Sequence, residues 1–248
     1  MGLPKIDQPL FNYTLPISNI DITFRPFLVK EEKLLLIGKE ADSKAQLNAL
    51  KQVIEAVVVE PENLDVNSLT SVDVEMLFVQ LRSKSVQNVV ELQYRDTEDQ
   101  EVYKFNVDLS ELEPTIDPNH SNEVVLDDTY TVVLKDPTMN IMNKVGMGLE
   151  GEPTTDDVFK LIAACIDSVY DADKVYDDFT NKEAVAFLQG LDVKRFEKLQ
   201  EFFDTLPKLT YDLNYTNKNG KDRTITLNGL SDFFWYCWAI ILWQITIN

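Results

Sequence analysis

The apolar residues of this chain switch repeatedly between two-residue and three-to-four-residue spacing, so it can be neither all helix nor all sheet. Near the start, Leu10, Tyr13 and Leu15, then Ile20, Ile22 and Phe24, keep an extended spacing broken by prolines. That predicts edge strands or a β-hairpin. From about Glu31 the spacing turns helical. Leu47, Leu50, Ile54, Val57 and Val58 form one apolar stripe, which Pro61 ends. Thr70 with Asp73 has the form of a capping box opening a short helix through Met76, Leu77, Val79 and Gln80. Over residues 86–135 the period returns to two. Tyr103, Phe105, Val107 and Leu109 face Val90, Leu92 and Tyr94 across an acidic turn, Asp96 to Gln100, and Tyr130, Val132 and Leu134 supply another strand. One antiparallel sheet with a wet face is expected there. Asp136 and Pro137 form an N-cap and N1 pair for a short helix.

Residues 146–153 hold three glycines and a proline and are the best linker in the chain. Beyond them the helical signal dominates. Thr154 with Asp157 and Thr180 with Glu183 are capping boxes. Leu161, Cys165 and Ile166 form one stripe and Phe187, Leu188 and Leu191 another, and a third helix runs from about Val193 to Thr205. Leu209, Tyr211, Leu213 and Tyr215 then alternate up to Asn219-Gly220, and Ile225 and Leu227 alternate away from it. A two-residue Asn-Gly hairpin turn needs positive φ at both positions. The expected fold is α+β. An N-terminal lobe (1–145) carries an antiparallel sheet with helices. After the linker, a helical lobe (154–248) carries a C-terminal β-hairpin and an apolar terminal helix.

Charge removes one function class. Lys and Arg number 23 against 42 Asp and Glu, a net charge of −19, and such a field repels a phosphate backbone unless a basic patch interrupts it. The densest basic cluster, Lys194, Arg195 and Lys198, sits among Asp192, Glu197 and Glu201, so no nucleic acid is expected. Two cysteines, Cys165 and Cys237, are too few for a disulfide framework and read as small buried side chains in a reducing compartment. The first residues show no apolar signal region, and Ile6 stands where a myristoylation signal needs Ser or Thr. A cytosolic chain is therefore expected.

The motifs that could carry chemistry fail on context. Gly146, Gly148 and Gly151 match G-x-G-x-x-G, but a predicted helix precedes them and Glu150, Glu152 and Pro153 follow, which suits a linker better than a nucleotide. A calcium loop starting at Asp171 would place Val175, Tyr176 and Lys182 where an oxygen ligand, Gly and Glu belong, so Asp171, Asp173, Asp177 and Asp178 read as a solvated acidic helix end. His120 is the only histidine, which rules out paired-histidine metal motifs, and no G-x-S-x-G elbow accompanies it. Neither cofactor nor metal is expected.

Residues 233–247 are the anomaly. They hold Phe234, Tyr236, Ile240, Ile241, Leu242 and all three tryptophans, Trp235, Trp238 and Trp243, with no charge. The stretch is about five residues short of a bilayer span and lacks a basic flank, which argues against a membrane. A helix apolar on every side must be buried. Two burials compete: in the chain's own core, or in a partner or second copy, with Phe234, Trp235, Trp238 and Trp243 as anchors.

Several ordered segments resemble the baseplate hub and hub-assembly proteins of T-even-type contractile-tailed bacteriophages. They are Arg25–Ile37 (RPFLVKEEKLLLI), Asp73–Ser85 (DVEMLFVQLRSKS), Pro118–Ser121 (PNHS) with Val125–Asp128 (VLDD), Cys165–Tyr170 (CIDSVY), Glu201–Leu209 (EFFDTLPKL) and Leu227–Phe234 (LNGLSDFF). The resemblance spans nearly the whole chain and rests on number and order, since none of the segments is catalytic. It implies a phage protein, not an enzyme, whose partners are other baseplate hub proteins. Such a protein is either a hub subunit or a chaperone-like factor that leaves after assembly, working in the host cytoplasm or in the virion tail. Some relatives carry cysteine pairs near the hairpin turns. This chain has Asp96 to Gln100 and Asn217 to Asp222 there, so no zinc knuckle is implied. The alternatives are a tail-borne enzyme such as a peptidoglycan hydrolase, and a membrane-associated assembly factor.

Overall fold

The computed structural model describes residues 6–39, 43–145 and 154–229. In chain order the strands and helices are β1 (Phe11–Thr14), β2 (Asp21–Phe24), α1 (Val29–Lys39), α2 (Ser43–Val57), β3 (Val58–Glu60), α3 (Ser71–Ser85), β4 (Val89–Arg95), β5 (Val102–Asp108), β6 (Glu123–Val125) and β7 (Thr131–Leu134). They continue as α4 (Met139–Val145), α5 (Thr155–Cys165), β8 (Ile166–Tyr170), β9 (Val175–Tyr176), α6 (Asn181–Gln189), α7 (Val193–Asp204), β10 (Thr210–Thr216) and β11 (Asp222–Asn228). The fold is α+β, as the mixed spacing predicts.

The described residues divide into two compact units, one within residues 1–66, 72–115 and 208–248, the other within residues 67–71 and 116–207. These boundaries differ from lobes split at the glycine-rich stretch. That stretch, 146–153, lies outside the described residues, and α4 and α5 on either side of it belong to the same unit. Within the first unit, Thr115 and Lys208 exchange backbone hydrogen bonds of 2.7 and 3.0 Å, so the chain returns beside the point where it left. Such long-range pairing is invisible to local spacing.

In the first unit the predicted N-terminal hairpin forms, with Phe11 opposite Phe24 and Tyr13 opposite Ile22, and β3 adds to the free side of β2. Leu47, Leu50, Ile54 and Val57 are buried along α2 as their spacing predicts. Val58 instead leaves the helix and pairs with Phe24, because β2 offers an unpaired edge. Helices α1 and α2 meet at Gly38, where an added Cβ would lie 2.7 Å from the Ala49 Cβ. Helix α3 is longer than predicted and buried at Val72, Val74, Met76, Leu77, Phe78, Val79 and Leu81, and its polar Asp73 and Arg82 are buried with them. The fully buried Asp73 carboxylate accepts the N–H groups of Ile17 (2.9 Å) and Ser18 (3.0 Å), which ties the β1–β2 turn to α3.

Two further hairpins complete that unit. Val90 pairs with Val107, Leu92 with Phe105 and Tyr94 with Tyr103, in the register the alternation predicts. Tyr211 pairs with Leu227 and Leu213 with Ile225. The Tyr215 ring packs on Tyr103 at 4.5 Å and on Phe105 at 5.7 Å, so aromatic side chains join the two hairpins. The β10–β11 loop is wider than a two-residue Asn-Gly turn. The Asn217 side chain accepts the N–H groups of Asn219 and Lys221, and of the pair only Gly220 has positive φ, at 76°.

The second unit holds a four-stranded antiparallel sheet in the order β6-β7-β8-β9. Its core joins Leu126, Val132, Leu134, Ile162, Cys165, Ile166, Leu188, Leu199 and Phe202. Three expectations change here. Strand β7 belongs to this sheet and not to that of β4 and β5. Ile166 opens β8 instead of extending a helical stripe, so the region expected to be helical contains two strands. Helix α4 starts at Met139, past Asp136-Pro137, and the Thr138 hydroxyl accepts the Ile141 N–H at 3.4 Å. The capping boxes predicted at Thr154 with Asp157 and at Thr180 with Glu183 form with reciprocal bonds. Phe234, Trp235, Trp238, Trp243, Cys237 and the expected terminal helix lie outside the described residues.

Candidate functional site

The hairpin of β8 and β9 brackets Asp171-Ala172-Asp173-Lys174 with two Val-Tyr pairs, so that Val169 lies opposite Tyr176 and Tyr170 opposite Val175. Directly opposed residues of an antiparallel pair share a face. Val124, Val132, Val169 and Tyr176 therefore form one row across the sheet, turned toward the core. Helix α6 presents Ala184 and Phe187 to the same side, and its capping box fixes where the helix begins.

Between this face and α6 lies a cavity of about 350 Å³. Buried Ile166, Val169 and Ala184 make its floor, half-buried Phe179 and Phe187 its walls, and exposed Tyr130, Tyr176 and Glu183 its mouth. Among the described residues, one carboxyl group and two phenols are its only ionisable lining groups. Glu183 is partly committed already: its carboxylate accepts the Thr180 N–H and hydroxyl, both at 2.7 Å, which hold it below the usual carboxylate range. Tyr176 is oriented by its neighbours. Its hydroxyl donates to Asp171 at 3.2 Å, which raises the phenol pKa, and the Lys174 ammonium lies 4.4 Å from the ring centroid. An apolar, aromatic concavity of this size suits one bulky side chain, since a cavity of roughly 150 Å³ already accepts benzene.

Asp171 is the anchor of the hairpin turn. It accepts the N–H groups of Asp173 (2.9 Å) and Lys174 (2.8 Å), and these bonds lower its pKa. The acidic run is therefore the hairpin turn before β9 and the loop after it, and not the helix end the sequence predicts. Among the described residues no three His, Cys, Asp or Glu side chains gather at metal-ligand spacing.

His120 stands apart from the cavity. Its ring packs on Phe202, tilted by 35° with centroids 4.9 Å apart, and Nδ1 lies 3.0 Å from the Thr205 hydroxyl. Nε2 is 3.7 Å from Asp136, beyond hydrogen-bond reach. Thr205 also donates back to the carbonyls of its own helix end. Cys165 is buried, and burial pushes its thiol up to about 12, far from a reactive thiolate.

In the first unit the turns at Asp96–Gln100 and Asn217–Asp222 meet through a polar clamp. Glu98 pairs with Lys221 (2.6 Å) and with Arg223, Glu101 with Lys218 (2.6 Å), and Asp96 accepts the Tyr215 hydroxyl at 2.6 Å. The residue types at both turns were readable in the sequence, but not their meeting. The cavity is not legible in the sequence either. Its one sequence signal was the repeated Val-Tyr pair around an Asp-rich turn, which marks a hairpin.

The family model described as T4 bacteriophage base plate protein matches residues 8–235. No curated protein and no solved structure matches the chain. No helix among the described residues is long and apolar enough to cross a membrane.

Proposed function

The chain belongs to the T4 bacteriophage base plate protein family, and from that membership we propose that it binds other baseplate proteins at the tail hub, as an assembly factor or a hub component. The cavity of the second unit carries this reading. It is lined by apolar and aromatic side chains, and its single carboxylate already caps a helix, which suits holding a partner's side chain and not activating a nucleophile. We read the chain as non-enzymatic on the same ground, with His120 outside the cavity and engaged by Thr205 and Phe202. Phe234, Trp235, Trp238 and Trp243 stay within the reading as further anchors.

A net charge of −19 favours the transient role, because such charge keeps a protein with exposed apolar sites soluble until its partner arrives. Two experiments test the reading. Co-expression with each of the other baseplate hub proteins, followed by size-exclusion chromatography, should yield a stable complex with at least one. Elution alone in every case would refute it. Mass spectrometry of purified virions then separates the two roles, since abundant peptides in finished tails identify a subunit and their absence an assembly factor.

A further inference from the structure

We propose that the cavity of the second unit receives a bulky apolar side chain, of Trp, Phe or Leu type, flanked by Lys or Arg on another baseplate protein. This inference rests on the protein-binding reading and names the chemistry of the partner. The cavity itself specifies the apolar anchor, because every side chain of its floor and walls is hydrocarbon and gives an inserted polar group no partner. The mouth specifies the flanking charge. Asp177 and Asp178 lie between the lining residues Tyr176 and Phe179, and Asp128 lies two residues before the lining residue Tyr130. All three are exposed and make no ion pair among the described residues. Glu183, which lines the mouth itself, adds a fourth carboxylate, against Lys174 and Lys182 on the same segments. Lys174 is engaged with the Tyr176 ring. A cationic flank would therefore gain from the carboxylates of Asp128, Asp177 and Asp178, and an acidic or neutral one would not.

The same charges argue against the other occupants. Residues 233–247 of this chain carry no charge, and a second copy brings its own net −19 toward an acidic rim.

The probe is a synthetic peptide with a central Trp between Lys pairs, titrated by calorimetry into the full-length protein. Two control peptides replace Trp by Ala, or every Lys by Glu. The Lys–Trp peptide should bind at least about tenfold more tightly than either control, the anchor supplying most of the affinity. Its affinity should fall several-fold between about 0.05 M and about 0.3 M salt as the carboxylates are screened. Ala184→Leu, which fills the cavity floor without changing charge, should cut affinity at least about tenfold while the melting temperature holds. Should that variant fold poorly, Tyr176→Ala at the exposed mouth gives the same test and is expected to lose about threefold. Joint Asp177→Asn and Asp178→Asn should remove most of the salt dependence.

Equal binding of the Ala or Glu control, or full affinity in Ala184→Leu or Tyr176→Ala, overturns the proposal. A tenfold gain in peptide affinity on Trp238→Asp would assign the cavity to the chain's own tail and overturn it equally. If the peptide fails while a hub protein still co-elutes, the cavity loses this role and the protein-binding reading stands. If neither binds, both fall.

Discussion

Gly38 tests whether α1 and α2 meet as closely as the structure has them. Replacing a helical glycine by alanine ordinarily stabilises by about 0.5–1 kcal/mol, because the unfolded chain loses freedom it would otherwise have to surrender. Here the new methyl would stand 2.7 Å from the Ala49 Cβ, whereas carbon atoms rest at about 3.5–4.0 Å. The helices must part by roughly 1 Å, and overpacking of that kind costs about 1–3 kcal/mol. The clash outweighs the propensity, so Gly38→Ala should destabilise by about 1 kcal/mol, or about 2–4 °C in melting temperature for a unit of this size. In an Ala49→Gly background the obstructing methyl is gone. The same Gly38→Ala change should then stabilise by about 0.5 kcal/mol, a reversal of sign that only a direct contact can produce. Urea unfolding of the four proteins, followed through the helical circular dichroism signal, completes the cycle. If Gly38→Ala stabilises in both backgrounds, the two helices do not touch there and the packing argument is wrong.

Three further outcomes are expected. The carboxyl groups of Asp96, Glu98 and Asp99 are held below their usual range by Tyr215, Lys221 and Tyr103 respectively. Their contribution is present above the ordinary carboxylate pKa and is lost as pH falls through the depressed folded values. The first unit should therefore lose urea resistance below about pH 4, and Tyr215→Phe should lessen that acid dependence; an unchanged profile counts against the clamp. Cys165 should resist alkylation at pH 8 in the native protein and react once unfolded, and peptide mapping would separate it from Cys237; rapid native labelling would contradict its burial. Trp238→Asp should abolish co-elution with a hub protein and leave the isolated chain folded, and unfolding of the variant would place the tail in the chain's own core.

Local chemistry was legible wherever both partners of an interaction lie within a few residues. The two capping boxes at Thr154 and Thr180, the apolar stripe of α2 and the register of Val90, Leu92 and Tyr94 with Val107, Phe105 and Tyr103 could all be read from spacing. Each depends on a helical or strand period, or on a short turn, that the residues themselves impose. The misreadings share a cause. Val58 and Ile166 have helical spacing to their predecessors, yet each joins a strand because a sheet edge elsewhere in the chain offers backbone partners. β-Propensity is realised only against such a neighbour.

The sequence alone determined the α+β character, the acidic net charge and the family, because composition, period and ordered segments are properties of the chain before it folds. Tertiary structure decided which residues share a site. Strand β7 pairs with β6 and β8 and not with β4 or β5, and against that sheet the cavity at Tyr130, Val169, Tyr176 and Phe187 arises. No local period encodes it, since a concavity exists only where strands distant in sequence turn one face toward a helix and leave the space between them unfilled.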